Sequence, residues 1–135
     1  MLPRGVDQNE GRAICVAYLE WSDETLTWLS IGNVAALLLH PDDRGGVHRE
    51  HVLMRNGVVG HRLPPLRSAI HPIRRGDLLI FATDGVHEGF ETSVRFSPSL
   101  QEIADHVLVR HGKISDDALV LVARWNGPPA SRAAA

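Results

Sequence analysis

Two places in the sequence put carboxylates where a cation can be held. Asp84 closes the apolar run 78–83 and is followed by Gly85, while Asp116 and Asp117 open another run, 118–125. Runs of this length, rich in β-branched residues and bounded by turn formers, read as strands, so both sets of carboxylates fall at strand ends. If the two strands are antiparallel neighbours, the end of one and the start of the other share an edge and the carboxylates converge. Convergent carboxylates on a mostly buried rim repel unless a cation lies between them, and hard oxygen donors suit Mg²⁺ or Mn²⁺ better than Zn²⁺. Ordinary turn chemistry is the competing reading, because Asp-Gly is a hairpin dipeptide and Ser115-Asp116-Asp117 suits any loop.

Other side chains carry weaker signals. His87 and Glu88 follow the Asp-Gly pair closely enough to tune a bound water or touch a substrate. The sequence has 8 histidines. His48 and His51 lack a third ligand at Zn²⁺ spacing, so solvated strand or loop positions are expected for the histidines. Arg62, Arg67, Arg74 and Arg75 form a local basic cluster, either a solvated face or a contact for phosphate or an acidic partner. Trp21, Trp28 and Trp125 fall on predicted strands as packing residues. Cys15 has no basic neighbour in sequence to activate it, so no nucleophilic role is assigned.

The elements that must position these residues follow from composition and pattern. A chain of 135 residues, 44% hydrophobic and 22% charged, makes one domain with a real core and excludes disorder for most of its length. A net charge of -2 supplies no global field toward nucleic acid or an anionic membrane. The apolar run 13–19, which holds Cys15 and reads as core, is far shorter than the ~18 residues a membrane helix needs. One cysteine, no export signal and no membrane span place the protein in the cytoplasm. Residues 1–11 read as a flexible N-terminal segment, 12–126 as the domain, and 127–135 as a disordered tail.

Strands are predicted over 12–21, 26–31, 34–40, 47–54 (an edge), 67–73, 78–83 (central) and 118–125. The second and third are expected to pair across a turn at Gly32-Asn33. Leu100, Ile103, Ala104, Val107 and Leu108 recur at helical spacing. Ser97 with Pro98, or Ser99 with Glu102, caps that helix, and Gly112 follows its end. Many antiparallel strands with few helices describe an α+β fold of layered sheets.

These residues carry a family resemblance. The stretch from Gly76-Asp77 through Thr83-Asp84-Gly85-Val86-His87-Glu88 resembles an element of bacterial metal-dependent serine/threonine phosphatases, the protein phosphatase 2C-like class of stage II sporulation protein E type. Asp116-Asp117 and the apolar run after them are similar to that family's terminal metal element. Ser30-Ile31-Gly32-Asn33-Val34-Ala35 resembles its glycine-asparagine hairpin, and residues 56–65 its glycine and proline loop. The resemblance spans about residues 12–125.

The resemblance implies a partial phosphatase 2C-like sandwich that hydrolyses phosphoserine or phosphothreonine at a two-ion Mn or Mg centre. Asp84, Gly85 and Asp116 would hold metal, with Asp117, Glu88 and His87 behind or beside them. The implied partner is a phosphorylated regulatory protein of stress or sporulation signalling, of the anti-sigma factor antagonist type. A further Asp-Gly element that the family carries before two long helices is not found, so weak or partial metal binding and a poor catalyst are expected. The alternative is a non-catalytic regulatory or dimerisation module that binds a phosphorylated partner. Apolar sheet surface left uncovered would be buried by self-association or by a partner.

Overall fold

The computed structural model describes residues 14–32, 34–51, 68–96, 99–114 and 117–129. Seven strands, β1 (Ile14–Glu20), β2 (Thr25–Ile31), β3 (Ala35–Pro41), β4 (Val47–His51), β5 (Ala69–Pro72), β6 (Leu78–Ala82) and β7 (Val120–Arg124), accompany one helix, α1 (Leu100–His111), and a 3₁₀ turn at Phe90–Ser93. They form a three-stranded sheet of order β1-β2-β5 and a four-stranded sheet of order β4-β3-β6-β7, every pairing antiparallel. The fold is α+β, in three layers: sheet, sheet, helix.

The layering follows from where the apolar residues point. Successive strand side chains face opposite ways, so the near-continuous apolar runs of β3 and β6 fit strands covered on both faces. Leu37 and Leu39 of β3, with Leu78, Ile80 and Ala82 of β6, pack against Ile103, Ala104 and Val107 of α1 and Phe90 of the 3₁₀ turn. Ala36, Leu38 and Leu79 face the other way, meeting Leu26 and Trp28 of β2. As expected, β4 is an edge and β6 is interior. Ser99 caps α1, its side chain accepting from the Glu102 N–H, and the Gly112 N–H bonds the Leu108 carbonyl at the other end.

Three expectations need correction. β2 and β3 do not pair: Gly32, at φ 86, carries the chain from one sheet to the other. The physical reason is that β3 must be buried on both faces, a position available only inside the second sheet. Of the run 13–19, Cys15 and Ala17 pack against the core while their neighbours in β1 turn outward. β1 is an edge strand, and Ile14, Val16 and Tyr18 are 45%, 54% and 61% exposed. Trp21 lies beyond β1 and is exposed, unlike the buried Trp28. Asn33, Arg62, Arg67, Ser97 and Pro98 lie outside the described residues, as do the loop 56–65 and most of both terminal segments.

Among the described residues, no helix is long and apolar enough to cross a membrane.

Candidate functional site

The core builds the site's edge. β6 runs antiparallel to β7 with Ala82 opposite Val120, so the exit of one strand and the entry of the other lie side by side. The Thr83 N–H donates to the Leu119 carbonyl at 3.1 Å, and the Leu119 N–H donates to Thr83 Oγ1 at 2.9 Å. The next turn is held as well, with the Lys113 N–H donating to the Gly85 carbonyl and the His87 N–H to the His111 carbonyl, each at 2.7 Å. Residues 83–87 are thereby bonded to segments from both sides of residues 115–116.

Gly85 is the tightest point. A Cβ built there would collide with the Asp117 carbonyl oxygen and lie 2.9 Å from Ala118 Cα, both main-chain atoms. Only glycine lets the Asp84 turn and the β7 entry approach this closely.

The candidate residues fall as follows. Asp84, His87 and Glu88 line one cleft of about 320 Å³, together with Thr83 and Lys113. Asp84 is exposed at this edge rather than set in a buried rim, since β6 ends two residues before it. Asp117 is exposed beside Gly85, and Asp116 lies outside the described residues. Sequence reasoning missed Lys113, which follows the Gly112 that ends α1 and brings a cation to a cleft bordered by two carboxylates. Its signal was its place between the helix end and the Asp pair.

In kind the carboxylate oxygens suit a hard cation. Among the described residues no group of three Asp, Glu, His or Cys is placed to hold a metal, and Asp116 lies outside those residues.

A second titratable cluster was not foreseen. His40, expected to be solvated, is buried because β3 is covered on both faces, and its Nδ1–H donates to Asp77 Oδ2 at 2.7 Å. Asp77 is buried too, and also accepts from the Arg74 N–H at 2.7 Å. Glu50 of β4 then takes His40 Nε2 at 3.3 Å and His71 Nδ1, from the other sheet, at 2.9 Å. Burial alone would raise the Glu50 carboxyl. The hydrogen bond from His40 and the charges of His71, His40 and His48 outweigh it, holding the group below its ordinary range. At Cys15 burial pushes the thiol up, against a hydrogen bond from Ser30, which keeps it a poor nucleophile.

A family model described as stage II sporulation protein E matches residues 4–126. A chain from a structure of the bacterial stressosome, described as a modular system adapted to control secondary messenger signaling, superposes with TM-score 0.70 at 22% identity, over 84% of this chain and 59% of that one. RsbX in complex with magnesium gives TM-score 0.69 at 18% identity, over 83% and 55%. The phosphatase domain of the cell fate determinant SpoIIE from Bacillus subtilis gives 0.62 at 23%, over 84% and 55%. The chain thus spans between 55% and 59% of the length of these structures, and at such identities the likeness establishes the fold. No curated protein matches significantly.

Proposed function

The chain belongs to the stage II sporulation protein E family, and from that footing we propose that its Asp84 edge is part of a metal-dependent phosphatase centre. The substrate class is phosphoserine or phosphothreonine on a cytoplasmic regulatory protein of stress or sporulation signalling, of the anti-sigma factor antagonist kind. The observation that supports this most is the collision a Cβ at Gly85 would make: a glycine is needed to bring the Asp84 turn against the chain that carries Asp116 and Asp117.

In this reading Asp84 and Asp116 are the residues that would hold Mn²⁺ or Mg²⁺, with Gly85 admitting the close approach. A divalent ion supplies charge neutralisation at phosphorus and a more acidic water. This chain's own residues position the rest. Lys113, a compact cation fixed to the Gly85 carbonyl through its main chain, meets a phosphate oxygen. His87 and Glu88, exposed on the cleft wall, orient water or the leaving hydroxyl. The apolar outer face of the β1-β2-β5 sheet is covered by a second copy or by the partner, and sedimentation as a monomer at all concentrations would sink that part.

The exposure of Asp84 and Asp117 at an open edge, rather than in a buried rim, favours a second reading, a non-catalytic module that binds a phosphorylated partner. Mn²⁺ titration followed by electron paramagnetic resonance, together with phosphoserine-peptide turnover, separates the two. The enzyme reading expects Mn²⁺ uptake and slow turnover, both lost in Asp84→Asn. Equal Mn²⁺ uptake by wild type and Asp84→Asn removes Asp84 from the centre. Peptide binding with neither uptake nor turnover selects the module.

A further inference from the structure

A second concavity gathers cations. A cleft of about 230 Å³ between the 3₁₀ turn Phe90–Ser93 and α1 is lined by Thr92, Ser93, Arg95, His106 and Arg110. His106 and Arg110 are one helical turn apart on α1, and Arg95 reaches the cleft from the segment after the 3₁₀ turn. Among the described residues no carboxylate pairs with any of the three; the ion pairs there join His40, His48 and His71 to Glu50 and Asp77.

The hydroxyls on the wall are already committed. Thr92 Oγ1 donates to the Gly89 carbonyl and Ser93 Oγ to the Phe90 carbonyl, each at 2.9 Å, and Ser93 Oγ lies 2.6 Å from His111 Nε2. The donors left for a ligand are the two guanidiniums and the His106 imidazole. Like charges around one small hollow repel each other and focus a positive potential into it. A phosphate dianion offsets that charge, and guanidinium forks match its oxygens in pairs. The space suits one such group, and the net charge of -2 provides no wide basic field for a nucleic acid strand.

The cleft continues into a hollow of about 200 Å³ that shares Arg95 and His106 and is lined by Val94 and Ile103, with Glu102 also at its border. We infer that the pair of hollows binds a phosphoserine or phosphothreonine segment of a polypeptide that carries an apolar side chain next to the phosphorylated residue. The phosphate sits on Arg95, His106 and Arg110. The apolar neighbour lies against Val94 and Ile103, which offer an acidic side chain no polar partner. Phe90 lines the Asp84 cleft while Thr92 and Ser93 line this one, so the two sites flank the same 3₁₀ turn and are distinct. Phosphate capture here needs neither metal nor turnover.

The test is ¹H–¹⁵N NMR of the full chain in EDTA, titrated with a phosphoserine-leucine peptide, its phosphoserine-glutamate counterpart and orthophosphate. Shifts centred on Arg95, His106 and Arg110 are expected with the leucine peptide. Binding should weaken about tenfold for the glutamate peptide and in each of Arg95→Gln and Arg110→Gln, both melting like wild type. Orthophosphate binding as tightly as the leucine peptide would overturn the polypeptide assignment. Binding unchanged in both variants, or none at all, would overturn the site.

Discussion

Gly85 has main-chain atoms where a methyl group would go, and neither side can yield without parting β6 from β7. Gly85→Ala is therefore expected to lower stability by about 2 kcal/mol or more, read by thermal melting, and to weaken Mn²⁺ uptake beyond what the stability loss explains. Glu50 supplies a pH prediction. Its folded pKa is depressed below the ordinary 4.5, so its contribution to stability is present above that value and is lost as pH falls through the folded one. Denaturant titrations should show wild type losing stability faster than Glu50→Gln as pH drops below about 5. His40→Ala strands the buried Asp77 carboxylate with the Arg74 N–H, and should cost about 3 kcal/mol. The Asp84-Gly85 pair was legible in the sequence because its meaning is local: a strand end, a carboxylate, a residue without a side chain. The His40 network was not, because His40 meets Asp77 and Glu50 only through pairings of β3 with β6 and β4.

Most of the elements were legible, because each carries its own period and its own punctuation. α1 shows this best, with five apolar residues on one face and a serine and a glycine at its ends. Ser99→Ala removes an acceptor from the first turn and should cost about 1 kcal/mol in chemical denaturation. The partner of each strand was less legible. Gly32-Asn33 has the composition of a tight turn, and nothing local says that the strands on either side join different sheets. What decides it is burial on both faces of β3, a property of the assembled layers. The reading of 13–19 as core held only for Cys15 and Ala17, for a related reason: an apolar run announces burial, but β1 has a neighbour only on one edge and cover only on one face.

Across the whole molecule the layers are unequal. The four-stranded sheet is covered on both faces, while the three-stranded sheet turns Ile14, Val16, Tyr18 and Ile70 outward, the last 67% exposed. This face should bind a hydrophobic dye such as anilinonaphthalene sulfonate in the native state. The double variant Val16→Thr, Ile70→Thr should bind it less, with a melting temperature close to wild type. The Asp84 edge, by contrast, hangs from β6, whose neighbours on both sides are strands and whose Leu78 and Ile80 are fully buried. Amide protons along β6 should therefore be among the last to exchange with deuterium, opening only when the entire chain does. A ligand grip suspended from such a strand has no premelting stage: it stays intact on warming until cooperative collapse, then disappears in one step.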